Sequence, residues 1–375
     1  MEKIHFATQL WIGDDALSEL QTMQGKKIFI VTDPFIAESG LTAQITDQLT
    51  GSEYFIFSDI VPDPPVEKVI AGIQAMSSFG ADTIIAIGGG SAIDAAKAMK
   101  YFGKRTMDLA IERFIAIPTT SGTGSEVTNF AVITMADTAT KYPLVTDEIQ
   151  PDIAVLDTNL VMSVPPKVTA DTGMDVLTHV IEAYVSTNAN GVADAFCEKV
   201  VKLVFDNLED AYKDGSNREA RANMHLASCM AGMAFNLASL GLNHGIAHAA
   251  GARLHVPHGR MNTILLPSVI EFNANVNQGV LQENAVAKRY MALANCIGTT
   301  TTNPRIGVQN LIRAIKQLRQ RLNMPATLSE FGLDKADVLA QKTEIATAAL
   351  ADACTETNPR TPSIHEIETL LEEIS

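Results

Sequence analysis

The sequence predicts two domains, an open α/β domain over residues 1–165 and an all-helical domain over 166–375. Three observations carry this. Short β-rich apolar runs alternate with helical stretches in the first half. Two prolines in SVPPKV (163–168) then punctuate the chain, and from Thr169 helical periodicity replaces the strand-like runs.

The expected strands are KKIFIVTD (26–33), YFIFSDI (54–60), DTIIAIGGG (82–90), RFIAIPTT (113–120) and DIAVLD (152–157). Several are apolar at nearly every position, the pattern of strands covered on both faces of a parallel sheet. SAIDAAKAMKYFG (91–103) reads as a helix between two of them. FAVITM and KYPLVT, within 130–146, read as a hairpin leaving the sheet. The stretch 218–250 is so apolar and rich in small residues that it reads as helices buried in a bundle.

Composition narrows the function. With 375 residues, 46% hydrophobic and 19% charged, the chain can bury a sizeable core in each domain. A net charge of −15 argues against a nucleic-acid or anionic-membrane partner, since both require clustered Lys and Arg. The four cysteines form no CxxC pair, which points away from disulfides and thiolate zinc and fits a reducing compartment. MEKIHFATQLWIG is not a signal peptide, and no apolar run spans a bilayer. A soluble, cytoplasmic protein is expected.

Two glycine-rich turns carry the first chemistry. Gly88, Gly89, Gly90 and Ser91 join a strand to a helix, where glycines admit close backbone approach and helix N–H groups bind anions such as pyrophosphate. The pattern is not GxGxxG, so as a lone feature it is equally a tight turn. At the next strand end, Thr119, Thr120, Ser121, Gly122, Thr123, Gly124, Ser125 and Glu126 offer small donors suited to ribose and phosphate. The plainer reading of that segment is a polar loop with Ser125 or Thr123 as a helix cap. Adjacent turns of this kind make the crevice in which α/β sheets bind ligands, so the first domain reads as a Rossmann-like dinucleotide-binding domain. Asp33, ending the first expected strand, can accept from ribose hydroxyls and repel a 2′-phosphate, or simply hold a turn before Pro34.

A second constellation suggests a metal. Asp175 and His179 lie four apart in a helical segment and so share a face. LNHGIAHAAGARLHVPHG (242–259) holds His244, His248, His255 and His258, half of the chain's eight histidines. One carboxylate with two or more imidazoles suits Fe(II), Zn(II), Mn(II) or Ni(II). Spacing leaves the set open: His244 with His248 is the simplest pair, and His255 with His258 can also contribute.

GGGSAIDAAK, PTTSGTGSEVT, DTGMDVLTHVIEAY, GLNHGIAHAAG and VPHG, in this order and over nearly the whole chain, resemble the iron-dependent (group III) alcohol dehydrogenases. Within them the sequence is most similar to the propanol dehydrogenases of propanediol utilisation. The resemblance implies Asp175, His179, His244 and His258 as ligands of Fe(II), with Zn(II) fitting the same set. It implies His248 as a proton carrier beside the metal, and leaves His255 a structural or supporting role. It implies NAD contacts from Asp33, Gly88 to Ser91, Thr119, Thr120 and Thr123, with Lys141 near the ribose. The expected activity is interconversion of short primary alcohols and aldehydes in a cleft between the domains. Homodimers or larger homo-oligomers are expected, in the cytoplasm or in a bacterial microcompartment with its components. Two related architectures stand as alternatives, glycerol-dehydrogenase-like polyol oxidoreductases and dehydroquinate-synthase-like lyases. The lyase needs a basic pocket, and Arg253 and Arg260 are the nearest cations in sequence. A nucleotide-binding regulator with a structural metal is a third reading.

Overall fold

In the computed structural model, which describes residues 4–135, 140–275 and 284–375, the backbone divides into two units, Met1–Val164 and Pro165–Ser375. The first is built on a six-stranded parallel sheet. Its strands are β1 (Gln9–Ile12), β2 (Lys27–Val31), β3 (Glu53–Phe57), β4 (Thr83–Gly88), β5 (Arg113–Pro118) and β8 (Ile153–Leu156). They lie in the order β1-β8-β5-β4-β2-β3. Between β5 and β8, β6 (Phe130–Met135) and β7 (Thr140–Val145) pair antiparallel as the expected hairpin.

The near-continuous apolar strands follow from a sheet covered twice. Phe29, Val31, Ile84, Ala86, Phe114 and Ala116 face the helices α3 (Val66–Phe79) and α4 (Gly90–Met107). The alternate residues Ile28, Ile30, Ile85, Ile87, Ile115 and Ile117 pack against a 3-10 turn at 16–22, α1 (Pro34–Glu38) and α2 (Leu41–Thr46). Alternation along each strand therefore feeds two cores rather than one. β3 departs from the pattern. It is the sheet's edge, and its Tyr54 and Phe55 are 46% and 43% exposed, so its apolar run is not a buried one. β1 was not legible in the sequence: four half-exposed residues, QLWI, carry too little periodicity, and the strand forms by pairing with β8.

The second unit is helical throughout the described residues. It comprises α5 (Pro166–Val185), α6 (Gly191–Lys213), α7 (Arg218–Ala238), α8 (Leu242–Leu254), α9 (His258–Ala274) and α10 (Ala285–Cys296). α11 (Pro304–Arg321), α12 (Leu328–Phe331), α13 (Lys335–Leu350) and α14 (Ile364–Ile374) complete it. Fifteen of the twenty residues of α5 are buried, so this helix is the axis on which α6, α7 and α9 pack. One core joins α5, α6, α7, α10 and α11, and a second joins α8, α9, α13 and α14. No single helix among the described residues is long and apolar enough to cross a membrane. The pair α7 and α8 passes on composition only together, bent by 109°, and its apolar residues belong to these cores. The four cysteines are free, and all but Cys296 are buried.

Candidate metal centre and cofactor turns

Three helices build the cluster in the second unit. α5 presents Asp175 and His179 one turn apart, α8 presents His244 and His248, and His258 opens α9. α9 can approach because residue 259 is glycine: a Cβ there would lie 2.2 Å from the Asp171 carbonyl oxygen of α5 and 3.3 Å from the Asp175 Cβ. The approach sets three imidazoles against one carboxylate. His179 Nε2 lies 3.9 Å from Asp175 Oδ2, while His244 Nε2 and His258 Nε2 lie 3.8 and 3.6 Å from Oδ1. The His179 and His244 rings stack at 4.7 Å, and Phe235 covers His179.

Whether these residues fit a divalent cation can be tested on their own chemistry. Burial lowers His179 to about 4 and holds His244 well below its ordinary value, so both are neutral imidazoles with a lone pair to give. The same burial pushes the Asp175 carboxyl up, and the side chains around it are imidazoles and the Asn262 amide rather than a Lys or Arg. A buried carboxylate opposite neutral nitrogens is costly unless a cation balances it. Nitrogen and oxygen donors 3.6–3.9 Å apart stand slightly wider than the roughly 3.3–3.6 Å edges of a tetrahedral shell with bonds of about 2.0–2.2 Å, a gap that small side-chain rotations close. The residues fit the group. His258 is 36% exposed at its side chain, so the ligands do not seal the centre and a further oxygen has access.

His248 lies half-buried beside this set. Its ring stacks on His258 at 5.4 Å, and its Nδ1 is 2.9 Å from Asp352 Oδ2. Burial pushes Asp352 up, but the bond and charge of His248 and the amide of Cys354 outweigh it, and the carboxyl sits below its ordinary value. His255 is outside the cluster. It is the exposed C-cap of α8, at φ 54°. The two arginines nearest in sequence are both engaged, Arg253 with Glu344 and Arg260 with Asp171.

The first unit brings the two glycine-rich turns together. Gly88 ends β4 at φ 149°, Gly90 begins α4, and the N-cap Gly89 leaves that helix without a side-chain cap. The first N–H groups of a helix have no intrahelical partner, which makes this end suited to a phosphate. The Thr119–Thr123 segment lies against it: a Cβ on Gly90 would be 2.8 Å from Thr123 Cγ2, and one on Gly89 would be 3.4 Å from Thr120 Oγ1. Asp33 holds the turn before Pro34 and also faces the glycine turn. Oδ1 accepts from the Ile36 N–H and caps α1, while Oδ2 faces Gly88, 3.5 Å from where its Cβ would stand. The turn at 125–127 is capped by Gly124 at φ 62°, not by Ser125 or Thr123, because its entry is left-handed; Thr123 Oγ1 instead accepts from the Ser125 N–H. Lys141 lies in β7 opposite Thr134, and its side chain is outside the described residues.

A buried polar network fastens these turns. Lys97, fully buried on α4, donates to Ser125 Oγ, Thr128 Oγ1 and the Phe130 carbonyl. Asp94, one turn earlier, accepts from Ser125 Oγ and the Val132 N–H. α4, whose N-terminus carries the glycines, thus grips both the threonine-rich segment and the hairpin. The sequence signal for such residues was available. Asp94 and Lys97 are spaced i, i+3, and Glu182 extends Asp175 and His179 as i, i+4, i+7 on a stretch whose other residues, Thr178 apart, are apolar. Asp352 had no such signal, lying 104 residues from His248.

Comparisons with known proteins show the family and the fold. The family model described as iron-containing alcohol dehydrogenase matches residues 7–158, and that for the C-terminal part of the Fe-containing alcohol dehydrogenase family matches 169–375. The 1-propanol dehydrogenase PduQ of Salmonella typhimurium is 42% identical, over 100% of both chains. An alcohol dehydrogenase from Oenococcus oeni superposes with a TM-score of 0.90 at 30% identity, over 98% of each chain. A sulfoacetaldehyde reductase from Bifidobacterium kashiwanohense, solved in complex with NAD+, superposes at 0.86 with 27% identity, over 100% of this chain and 98% of that one.

Proposed function

This chain belongs to the iron-containing alcohol dehydrogenase family, and from that premise we propose that it interconverts short primary alcohols and aldehydes with NAD(H), 1-propanol and propanal among them. The observation that carries the reading is the convergence of the buried Asp175 carboxylate with the Nε2 atoms of His244 and the part-exposed His258, with His179 Nε2 3.9 Å from the other carboxylate oxygen.

Asp175, His179, His244 and His258 would hold the divalent cation, Fe(II) first and Zn(II) second. When bound, the cation acts as a Lewis acid toward the substrate oxygen. In the oxidative direction the alcohol loses a hydride to NAD+ and its hydroxyl proton to solvent, giving aldehyde, NADH and H+. The rest falls to the chain. The turn at Gly88 to Ser91 and the α4 N-terminus take the pyrophosphate. Thr119, Thr120 and Thr123 line the same crevice, and Asp33 accepts from the adenosine ribose and disfavours a 2′-phosphate. His248 moves the proton: with Nδ1 donating to Asp352, its Nε2 is the basic nitrogen. The pairing of Arg253 and Arg260 leaves no free basic pocket from these two residues for a phosphorylated acid, which weighs against the lyase reading.

The relative's printed activity supports 1-propanol as substrate. The cytoplasm or a bacterial microcompartment as location and a homo-oligomer as working form are part of the proposal and rest on the sequence's resemblance to the propanol dehydrogenases of propanediol utilisation. The test is NADH formation with 1-propanol on metal-stripped protein reloaded anaerobically with Fe(II) or Zn(II). Turnover restored by either supports the reading. Absence of turnover in folded, NAD-bound protein overturns it. His179→Ala and His258→Ala are expected to lose metal and activity together.

A further inference from the structure

Behind the four candidate ligands lies a group of polar side chains that touch them without sharing their role. Glu182 is 3% exposed, and Asn243 and Asn262 are fully buried. We propose that Glu182 and Asn262 are positioning residues of the metal centre: Glu182 fixes His244 with its Nε2 inward, and Asn262 holds the Asp175 carboxylate in place. This rests on the metal reading above.

Glu182 makes two kinds of contact. Its Oε1 accepts from the Asn243 N–H at 2.6 Å, and its Oε2 accepts from the His244 N–H at 3.3 Å, so one carboxylate closes the first turn of α8. That much is helix capping. The further contact is from Oε2 to His244 Nδ1, 2.5 Å away. Burial pushes the Glu182 carboxyl up to about 8, while the Asn243 and His244 N–H groups favour its anion. As that anion it only accepts, so Nδ1 carries the proton and the lone pair belongs to Nε2, the atom that faces Asp175. The tautomer needed of a ligand is thereby chosen by Glu182.

The direction of the Asn262 amide is fixed by a backbone atom. Asn243 Nδ2 lies 3.2 Å from the Asn262 carbonyl oxygen, which can only accept, so the NH2 of Asn243 must stand there. The same NH2 donates to Asn262 Oδ1 at 2.8 Å. The other end of Asn262 is therefore its NH2, which donates to Asp175 Oδ1 at 2.6 Å and lies 3.1 and 3.2 Å from the Nε2 atoms of His244 and His258. Asn262 occupies the α9 face one turn after His258, so it ties a ligand of α5 to the helix carrying another.

A purely structural role predicts something different for Glu182→Gln. Glutamine keeps the volume and an oxygen for the Asn243 N–H. Its NH2 then meets His244 Nδ1, which can accept only by moving its proton to Nε2, where the lone pair is lost. The experiment is anaerobic titration of metal-stripped protein with Fe(II) or Zn(II) against a competing chelator. It compares wild type, Glu182→Gln and Asn262→Ala, with NAD binding and thermal melting of the metal-free forms read alongside. The expected result is metal affinity weakened about 10- to 100-fold in each variant, with NAD binding unchanged because the cofactor turns lie in the other unit. Wild-type affinity in both variants overturns the proposal and leaves the metal reading standing. No divalent-cation binding by wild type overturns the metal reading itself. Asn262→Ala, away from the α8 cap, keeps the test decidable should Glu182→Gln fail to fold.

Discussion

His248 Nδ1 and Asp352 Oδ2 lie 2.9 Å apart, an interaction that joins α8 to the turn following α13 and leaves the other ring nitrogen of His248 beside the metal cluster. If His248 carries the proton, His248→Ala should retain metal and lose about 10²-fold or more in kcat, the usual contribution of a positioned acid–base group. Asp352→Asn, which keeps the shape and removes the charge, should lose less and also retain metal. Metal content and kcat of the two variants check this; loss of metal from His248→Ala would make that residue a ligand instead.

Gly259 is the point at which α9 meets α5. A methyl group there would overlap the Asp171 carbonyl oxygen, so α9 must retreat and take His258 with it. Gly259→Ala is expected to cost about 1–3 kcal/mol of stability, as overpacking does, and to weaken metal binding beyond what that loss of stability explains. Chemical denaturation of the metal-free protein and a metal titration separate the two effects. Unchanged metal affinity would remove the packing argument.

Asp33 caps α1 with one oxygen and turns the other toward Gly88. Asp33→Gly should relax the preference against NADP, measured as the ratio of kcat/KM for the two cofactors. Glycine replaces a capping aspartate at a cost of only about a few tenths of a kcal/mol, so the fold should not obscure the result. An unchanged ratio would free Asp33 from any part in cofactor choice.

Glu126 is buried beside the threonine-rich segment, and burial pushes its carboxyl from 4.5 up to about 7. The folded state keeps this proton between those values while the unfolded chain releases it. Its stabilising contribution is therefore complete below pH 4.5 and is lost as pH rises through about 7. Lys97, lowered by burial to about 8 from 10.5, has the opposite sign above that window, stability recovering as pH rises from 8 to 10.5. Melting temperatures from about pH 5 to 8 should fall more steeply for wild type than for Glu126→Gln, which has no proton to release. Parallel curves would show that Glu126 titrates normally.

Much of the molecule was legible as local pattern. β2, β4, β5 and β8 are read from apolar runs, α5 from its periodicity, and the Gly88 turn from glycines at a strand end. Asp175 with His179 and His244 with His248 are read from i, i+4 spacing. Each depends on residues a few positions apart, where backbone geometry alone sets who can meet. The edge position of β3, the strand β1 and the left-handed entry at Gly124 were not legible, because they depend on pairing and on a φ value that composition does not record.

By itself the sequence determined the element types, the order of the two units and the residue types available for a cofactor and a cation. The tertiary structure decided which histidines converge and what directs them. His255 is excluded at the exposed end of α8, and His258 is admitted because Gly259 lets α9 close on α5. Asp352 and Glu182 select the ring nitrogens of His248 and His244 from 104 and 62 residues away. A hydrogen bond acts over about 3 Å whatever the separation in sequence, so these partners exist only once the helices have packed.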